Sequence, residues 1–428
     1  MVGGLVVIAT VLGAVSGVRS SLRVRTGSRM CAGPPVERNA APRRAMLRDA
    51  AGLALGAALG AGGAPLPSLA AAKGIRASSQ GSQVNKDPQS LLRLGLPIDC
   101  PAARAVQQDL EELRGNALKS LWSKAVSNAK SARNNLASKR SALLAAVADK
   151  NKEAAQPLVE SLGVKLDALE AATETAKLDD VLDKQNAAVS ALGELEEMMI
   201  AKYPFEVPSE YKGLPRLYGR GTVVVTVRRG PDAEEPKFNV DGELQDKIVA
   251  TLVVDGYNAP ITAGNFIELC SKGFYDGMQV QRADGFVVQT GDPRGIEGAD
   301  ESKPVGYVKD GRLRKIPLEV FPQGASAPLY GSTFDEEGFG GAAATLPFQA
   351  YGALGMAREE YDADSASSQW FWLLFDSDLT PAGKNLLDGR YSNFGYTVRG
   401  AEGLRAVRVG DIIESTKVVS GMDKLAYE

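Results

Sequence analysis

The chain has 428 residues, with 49 lysines and arginines against 52 aspartates and glutamates, three cysteines and no histidine. Its 44% hydrophobic and 24% charged residues supply enough apolar side chains for the cores of two or three domains, which excludes a wholly disordered protein. Without histidine, the chain cannot form a Ser-His-Asp or Cys-His nucleophile pair, an imidazole base or a His-ligated zinc site. Cys31, Cys100 and Cys270 show no CxxC spacing, so neither a metal nor another cofactor is predicted.

Positive charge is concentrated at the amino terminus. Residues 1–72 contain eight arginines and no lysine, and their only acidic residues are Glu37 and Asp49, which gives a net charge of +6. The remaining chain carries a net charge of −9. Because proteins bind phosphate backbones through clustered basic charge, this acidic body argues against a nucleic-acid partner.

The basic segment has the composition of targeting signals. Residues 2–18 form an apolar run of signal-peptide length, short of the roughly 20 residues of a membrane span. A stretch of transit-peptide composition follows, and then Arg43-Arg44, a run of Ala, Leu and Gly, and three consecutive alanines, which together resemble a twin-arginine signal. We predict that residues 1–72 direct the protein to the plastid thylakoid lumen, where it is peripheral to the membrane at most. A single uncleaved anchor, or low-complexity sequence without a targeting role, is the alternative.

Residues 73–202 show the apolar spacing of helices. Apolar side chains recur at steps of three, four or seven residues, which places them along one helical face. Four such stripes are predicted, beginning near Pro101, at Leu118, after Pro157 as a first-turn residue, and after Asp179. Together they predict an antiparallel helical bundle, with the stripes as its core and not as a cofactor site.

The composition changes after the helical region. Residues 203–220, interrupted by Pro and Gly, are predicted to form a linker with the first residues of the next domain. In residues 221–428, β-branched and aromatic runs bounded by turn residues predict strands at 222–227, 247–254, 278–282, 286–289, 370–374, 394–398 and 417–419. One helix is predicted from Ala259 to Cys270. Many short strands and few helices favour a closed antiparallel barrel, which has no exposed edge.

Residues 279–292, QVQRADGFVVQTGD, carry the most informative pattern for function. Arg282 can return beside Gln289 across a short turn, where the amide would fix the planar guanidinium in one orientation. With Phe286 and Phe371 nearby, these residues predict an apolar cup with one oriented cation at its rim. Such a cup suits a small apolar group that carries one polar atom, and a peptidyl-proline fits.

From about Leu217 to the carboxyl terminus, the chain resembles a cyclophilin. The matching segments are APITAGNFIELCSKGFYDGMQVQR, GFVVQTGD, LGMA, SSQWF and LLDGRYSNFG, in the order in which the family carries them. With its helical half and lumen signal, the chain is similar to the large thylakoid-lumen cyclophilins of plants and algae. The resemblance implies an eight-stranded barrel closed by two helices and peptidyl-prolyl cis-trans isomerase activity. It also implies proline-containing lumenal polypeptides as partners and a role in photosystem II assembly or maintenance.

The resemblance assigns roles to individual residues of this chain. Arg282 would donate to the prolyl nitrogen, Gln289 would hold Arg282, and Phe286 would complete the catalytic set. Binding of the proline and of the neighbouring peptide would fall to Val287, Ala357, Arg358, Gln369, Phe371, Leu386, Leu387 and Tyr391. No acid, base, nucleophile or metal takes part, which agrees with the missing histidine.

Several positions depart from the family pattern. The family's usual His, Met, Asn, Trp and His are replaced here by Gln281, Val287, Arg358, Leu386 and Tyr391. These replacements leave two hypotheses open: an isomerase of reduced activity, or a binding module whose helical half carries an assembly function. For Arg282 alone, an ion pair with the neighbouring Asp284 is the alternative to a catalytic role.

Overall fold

The computed structural model describes residues 84–296, 302, 304–375 and 385–427, so the predicted targeting segment lies outside the described residues. All described residues fall within one compact unit. Five helices come first: α1 Pro88–Leu94, α2 Pro101–Leu118, α3 Trp122–Ala146, α4 Lys152–Thr175 and α5 Leu178–Met198. None of the described helices is both long and apolar enough for a membrane crossing.

Helices α2 to α5 form the predicted bundle, in which sequence neighbours pack together and α5 returns against α2. Its core consists mainly of leucine and alanine side chains, among them the fully buried Leu110, Leu143 and Leu166. These side chains repeat at helical spacing, so each helix buries one face and leaves the other in water.

The sequence prediction is wrong at two positions of the bundle. Leu118 is 54% exposed, because Ser120 adopts a left-handed φ of 56° and separates α2 from α3. Pro157 lies inside α4, which already begins at Lys152. It therefore removes one backbone hydrogen bond of α4 and does not start the helix.

The sheet-forming half follows α5. Its elements are β1 Pro215–Leu217, β2 Arg220–Arg228, β3 Phe238–Val240, β4 Glu243–Gln245, β5 Lys247–Asp255, α6 Pro260–Ser271, β6 Arg282–Ala283, β7 Val287–Thr290, β8 Val308–Lys309, β9 Arg312–Leu313, β10 Glu319–Val320, β11 Leu329–Tyr330, β12 Ala353–Met356, β13 Trp370–Leu373, β14 Asn393–Arg399, β15 Ile412–Ser420 and β16 Leu425–Tyr427. The main sheet has eight antiparallel strands in the order β15-β2-β5-β14-β12-β13-β7-β6. Four two-stranded pairs, including β1 with β16, complete the described strands.

The main sheet is an open half-barrel, which corrects the prediction of a closed barrel. Its edge strands β6 and β15 form no ladder with each other. The segment before β6 reaches β15 through the isolated bridge between Gln279 and Ile412 and through a few backbone hydrogen bonds between residues 277–280 and 410–413. Strand β6 has only two residues, and its ladder partner is β7. The second capping helix that was predicted is absent from the described residues of this half. Apart from α6, the longest helical segment described in this half is a 3₁₀ helix, Ala401–Ala406.

The two faces of the sheet bury different clusters. On one face, Trp370 and Trp372 of β13 join a core that α6 covers, and Phe266 of α6 meets Trp370 with ring centroids 5.0 Å apart. Strand alternation places Phe371 and Leu373 of β13 on the opposite face, in a second cluster.

Helix α1 packs on the sheet and not in the bundle core. Asp87 caps its start by accepting the Gln89 N–H at 2.9 Å, with a proline at the first helical position. Leu91 and Leu92 of α1 join the second cluster, on the face that carries Phe371. The helical half is thus attached directly to the sheet face that bears the predicted proline pocket.

Arg220, the first residue of β2, ties the two halves together. It forms an ion pair at 2.6 Å with Asp255, whose side chain has no exposed surface, and it donates to the backbone carbonyl of Leu92 in α1. Glu197 of α5 lies 3.8 Å from the same guanidinium. Arg220 lies inside the segment predicted to be a linker, and this segment also holds β1. The predicted domain boundaries themselves stay predictions.

Candidate active site

Arg282 and Gln289 face each other across the β6–β7 hairpin. The register of the two strands pairs Arg282 directly with Gln289, and the turn between them uses Gly285 at a φ of 85°. The Arg282 side chain is 23% exposed, whereas Gln289 is almost completely buried. The hairpin therefore presents the guanidinium to solvent and the amide to the interior.

Asp284 orients Arg282. Its Oδ2 accepts hydrogen bonds from Nε of Arg282 at 2.6 Å and lies 2.5 Å from Nη2. Its Oδ1 accepts the backbone N–H groups of Phe286 at 3.0 Å and Val287 at 3.1 Å. Partial burial opposes ionisation of Asp284, but these N–H donors and Arg282 outweigh it and hold the pKa of the carboxyl below its usual value.

Gln289 forms no hydrogen bond with Arg282 in the part of the chain that the structure describes, so its predicted role of holding the guanidinium stays a prediction. Its Nε2 donates to Oε1 of Gln369 at 3.0 Å, and Gln369 in turn donates to the Val305 carbonyl at 3.0 Å. The buried amide meets its hydrogen-bonding needs beside the neighbouring strand. Gln289 is paired with Phe371 of β13, and Gln369 lies two residues before Phe371, just ahead of that strand. The ion pair with Asp284, considered above as the alternative for Arg282, is present.

The predicted pocket walls come together in the second hydrophobic cluster. It contains five predicted binding residues, Val287, Ala357, Phe371, Leu387 and Tyr391. All five are at least nine-tenths buried, in part because Phe348 stacks on Phe371 with ring centroids 6.2 Å apart. The expected open cup is therefore packed with side chains of this chain.

Gly355 provides the space for the Phe371 ring. A Cβ at Gly355 would lie 2.1 Å from Cζ of Phe371, and the ring has no exposed surface. Residue 355 of β12 and residue 371 of β13 are paired in the register of the sheet. The small residue in the LGMA segment thus sets the position of the deepest pocket wall.

Phe286 and Leu386 lie at the rim. Phe286 is 39% exposed, and its ring stacks on Phe375 with centroids 5.9 Å apart. Leu386, which replaces the family's Trp, is 54% exposed. These two apolar side chains are the predicted site residues most available to an incoming peptide.

Arg358 serves the fold of the adjacent loop. It donates from Nε to the Arg390 carbonyl at 2.9 Å and from Nη1 to the carbonyls of Glu359 at 2.8 Å and Glu360 at 3.0 Å. Its guanidinium also lies over the Tyr391 ring, 5.0 Å from the centroid. Burial lowers the pKa of Arg358. Most of its donors are engaged within the chain, although it was predicted to bind substrate.

Three residues that the sequence prediction did not include contribute to the site. Asp284 orients the cation, Phe348 covers Phe371, and Phe375 extends the rim from Phe286. Asp284 was visible in the sequence because it lies two residues from Arg282. Phe348 and Phe375 carried no comparable signal, because their positions depend on contacts between distant segments.

Comparisons with known proteins identify the family of this chain. A family model described as "Cyclophilin type peptidyl-prolyl cis-trans isomerase/CLD" matches residues 238–424. A second, described as "Peptidyl-prolyl cis-trans isomerase CYP38-like, PsbQ-like domain", matches residues 87–200. The chain is 42% identical to the chloroplastic peptidyl-prolyl cis-trans isomerase CYP38 of Arabidopsis thaliana, over 80% of this chain and 75% of that protein. The chain belongs to the cyclophilin family.

Two further relatives share both halves of this cyclophilin. One, from Synechocystis and named for a thylakoid lumen peptidyl-prolyl cis-trans isomerase, is 38% identical over 82% of this chain and 86% of its own length. The other, chloroplastic CYP37 of Arabidopsis thaliana, is 29% identical over 81% and 72%. This cyclophilin is therefore a peptidyl-prolyl cis-trans isomerase that carries a PsbQ-like helical domain.

The possible metal ligands in the part of the chain that the structure describes are not clustered. Across those residues, no three Cys, Asp or Glu side chains are grouped so that they could hold an ion. Cys100 and Cys270 are both free and buried. Burial raises the pKa of the Cys270 thiol, which opposes formation of a reactive thiolate.

Proposed function

We propose that this cyclophilin isomerises X-Pro bonds of thylakoid-lumen polypeptides with Arg282 as its catalytic cation. The observation that carries the proposal is the partly exposed Arg282 guanidinium, fixed by Asp284 beside the exposed ring of Phe286. Oδ2 of Asp284 contacts both Nε and Nη2 of Arg282, so we assign the substrate contact to Nη1. Support for the reaction type comes from the family and from the names of the three relatives.

The reaction needs only preferential binding of the twisted amide. Amide resonance sets a rotation barrier of about 18–20 kcal/mol, while cis and trans X-Pro differ by only about 0.5–1 kcal/mol. A donor at the prolyl nitrogen withdraws the lone pair from resonance and therefore stabilises the twisted state selectively. We assign this donor to Arg282, and the proline contact to Phe286, Val287, Phe371, Leu387 and Tyr391.

The remaining predicted residues take supporting roles in the proposal. The buried Gln289 and the half-buried Gln369 form an amide pair next to the cation, and we assign the Ala357 backbone to the bound peptide. Leu386 widens the apolar rim. Arg358 maintains the loop wall against Tyr391, and it would bind substrate only after giving up carbonyl contacts.

A binding module with little catalysis is the second candidate, and one observation favours it. The five pocket residues are already packed together and against Phe348, so a proline needs side-chain movement before it enters. In that case the chain would hold clients through the rim and the helical half without turning them over.

A protease-free isomerisation assay on an X-Pro peptide distinguishes the two candidates. We expect the chain without residues 1–72 to exceed the uncatalysed rate, and Arg282→Ala to lower kcat/KM by about 10- to 1,000-fold, as for loss of one transition-state donor. Arg390→Ala is the matched control, because Arg390 is an exposed arginine that also pairs with an aspartate, Asp335, at 2.7 Å. If all three proteins give only the uncatalysed rate, the isomerase proposal is rejected and the binding module remains as the proposed function.

The location and the clients are part of the same proposal. The signals predicted in residues 1–72 and the chloroplast and thylakoid lumen names of the relatives support a lumen location. Photosystem II clients rest on the family resemblance alone. A lumen protein is protected from protease added to intact thylakoids and loses protection when the membrane is disrupted; degradation in intact thylakoids would contradict this location.

A further inference from the structure

A groove of about 380 Å³ lies outside the predicted site, between the start of the helical half and the end of β14. Its volume is within the range of small-ligand and peptide-side-chain sites. The residues that determine its chemistry are Lys86, Tyr351, Phe375, Arg399, Glu402 and Arg405, and we call it the basic groove. None of them belongs to the predicted catalytic or proline-binding set.

The basic groove is cationic and has fixed walls. Three cations line it against the single carboxylate of Glu402. The Arg405 guanidinium lies over the Tyr351 ring, 5.2 Å from the centroid, which limits its freedom. The exposed Arg399 forms no ion pair with any residue that the structure describes. Gly400 turns the wall at a φ of 77°, where a Cβ would lie 2.0 Å from the Val249 carbonyl oxygen.

This cationic site interrupts an acidic protein. Residues 73–428 carry a net charge of −9, so the protein as a whole is repelled by anionic surfaces. A flat anionic membrane would be repelled by this overall negative charge. A narrow polypeptide can enter the groove, where its carboxylates are attracted by the arginines. The aromatic side chains of Tyr351 and Phe375 add apolar contact beside the charges. Charge and shape together favour an acidic polypeptide segment as the occupant.

Phe375 connects the basic groove to the predicted active site. Its ring lines the groove and stacks on Phe286 at the catalytic rim, with centroids 5.9 Å apart. An extended chain advances about 3.3 Å per residue, so roughly two residues span this ring pair. One polypeptide can therefore place a proline at Phe286 and carboxylates in the groove.

We propose that the basic groove is an accessory subsite for acidic residues that lie a few positions from the isomerised proline in client polypeptides. The subsite rests on the proposed isomerase function, which supplies the proline end of the client. It selects clients by charge through Arg399 and Arg405 and leaves the bond rotation to Arg282. Because the charges are exposed to water, the selection weakens as salt is added.

Paired peptides test the subsite. Each pair has the same X-Pro core and carries two Glu or two Gln residues about two to four positions before or after the proline. In low salt, we expect the wild-type chain to prefer the Glu peptide in one of the two pairs, either with the glutamates before or with them after the proline. Its KM for that peptide should be about three- to tenfold lower than for the matching Gln peptide, because two exposed ion pairs form. Arg399→Glu should abolish this preference, which is measured as the ratio of the KM values for the two peptides of a pair. Lys417→Glu, which changes the same charge at an exposed position of β15 outside the groove, should keep the preference.

The outcomes separate the subsite from the isomerase function. Equal KM values for Glu and Gln peptides that are all isomerised would overturn the subsite and keep the function. If no peptide is isomerised, the function fails, and fluorescence anisotropy with a labelled Glu-rich peptide lacking proline then decides the groove: binding lost in Arg399→Glu supports it, and equal binding rejects it. Sedimentation with vesicles of an anionic lipid tests the other possible occupant of the groove. If the wild-type protein binds these vesicles and Arg399→Glu does not, the occupant is a lipid surface and the proposal of an acidic polypeptide is overturned.

Discussion

At the scale of single residues, the site depends on the local pairing of Arg282 with Asp284. A guanidinium fixed by one carboxylate oxygen at two nitrogens keeps a defined orientation at little entropic cost. The same aspartate closes the turn that displays Phe286. Asp284 is thus a positioning residue for Arg282, whereas the sequence alone offered it only as an ion-pair partner in place of a catalytic role for Arg282.

Asp284→Asn tests this positioning role. The amide keeps an acceptor for the turn but loses the charge that orients Arg282, so we expect kcat to fall about three- to tenfold with a smaller change in KM. Because the pKa of Asp284 is lowered, its carboxylate and hence the wild-type rate should persist as the pH falls from 7 toward its usual value of 3.8. The variant should be slow across the whole range in the protease-free assay. A variant faster than wild type would mean that Asp284 restrains Arg282 instead.

Features set by neighbours in sequence could be predicted, and features set by distant segments could not. The strand at 222–227 and the helix at 259–270 follow from β-branched runs and helical spacing, and the structure confirms both as β2 and α6. The buried amide partner of Gln289 lies 80 positions away, at Gln369, and no periodicity reports such a pair. The prediction of a closed barrel came from the number of short strands, which does not report whether the two distant edge strands β6 and β15 pair.

At the scale of elements, α1 supports the face that carries the predicted pocket. Leu91 and Leu92 of α1 pack against the sheet in the cluster that also holds Phe348 and Phe371, and the sequence analysis did not predict this contact. The side chains of this short helix therefore form part of the second hydrophobic cluster, together with side chains from the strands. Loss of its side chains should affect both stability and the pocket.

Leu92→Ala should lower the free energy of unfolding by about 2–5 kcal/mol, because it opens a cavity in a packed cluster. We also expect weaker proline binding, since Phe348 and Phe371 share that cluster. Chemical denaturation and KM for an X-Pro peptide measure the two effects. Leu94→Ala is the matched control, because Leu94 is in the same helix but 41% exposed. Equal losses of stability in the two variants would contradict the packing role of α1.

At the scale of the whole molecule, a buried carboxylate lies where the helical half meets the sheet. Glu196 of α5 has no exposed surface, and neither of its oxygens has a hydrogen-bond partner among the described residues. The cations facing it are Arg104 of α2 at 3.7 Å, Arg93 of α1 and Arg220 of β2, and Glu111 of α2 adds a like charge. Burial outweighs these cations and raises the pKa of Glu196 to about 7.

The raised pKa of Glu196 predicts lower stability at higher pH. The folded protein binds the proton more tightly than the unfolded chain, whose carboxyl titrates near 4.5, so this contribution is complete below pH 4.5 and lost as the pH rises through about 7. Relative to Glu196→Gln, the wild type should lose about 3 kcal/mol of unfolding free energy between pH 4.5 and 7.5. Denaturant titrations across this range measure the difference, with Glu194→Gln, an exposed neighbour in α5, as control. Parallel pH curves for wild type and Glu196→Gln would show that Glu196 is not the titrating group.

The position of Arg220 restricts how this protein can be divided. A cut placed just after the linker, at residue 221, would remove Arg220 and leave Asp255 as an isolated charge in the interior. A cut before β1 would keep that pair but would still strip α1 from the face that holds Phe371. An inactive carboxyl-terminal fragment would therefore report damage at the new surface, not the intrinsic competence of the catalytic half. Chimaeras that combine the halves of two relatives should fold stably only when Arg220 and its contacts in α1 and α5 come from the same parent protein.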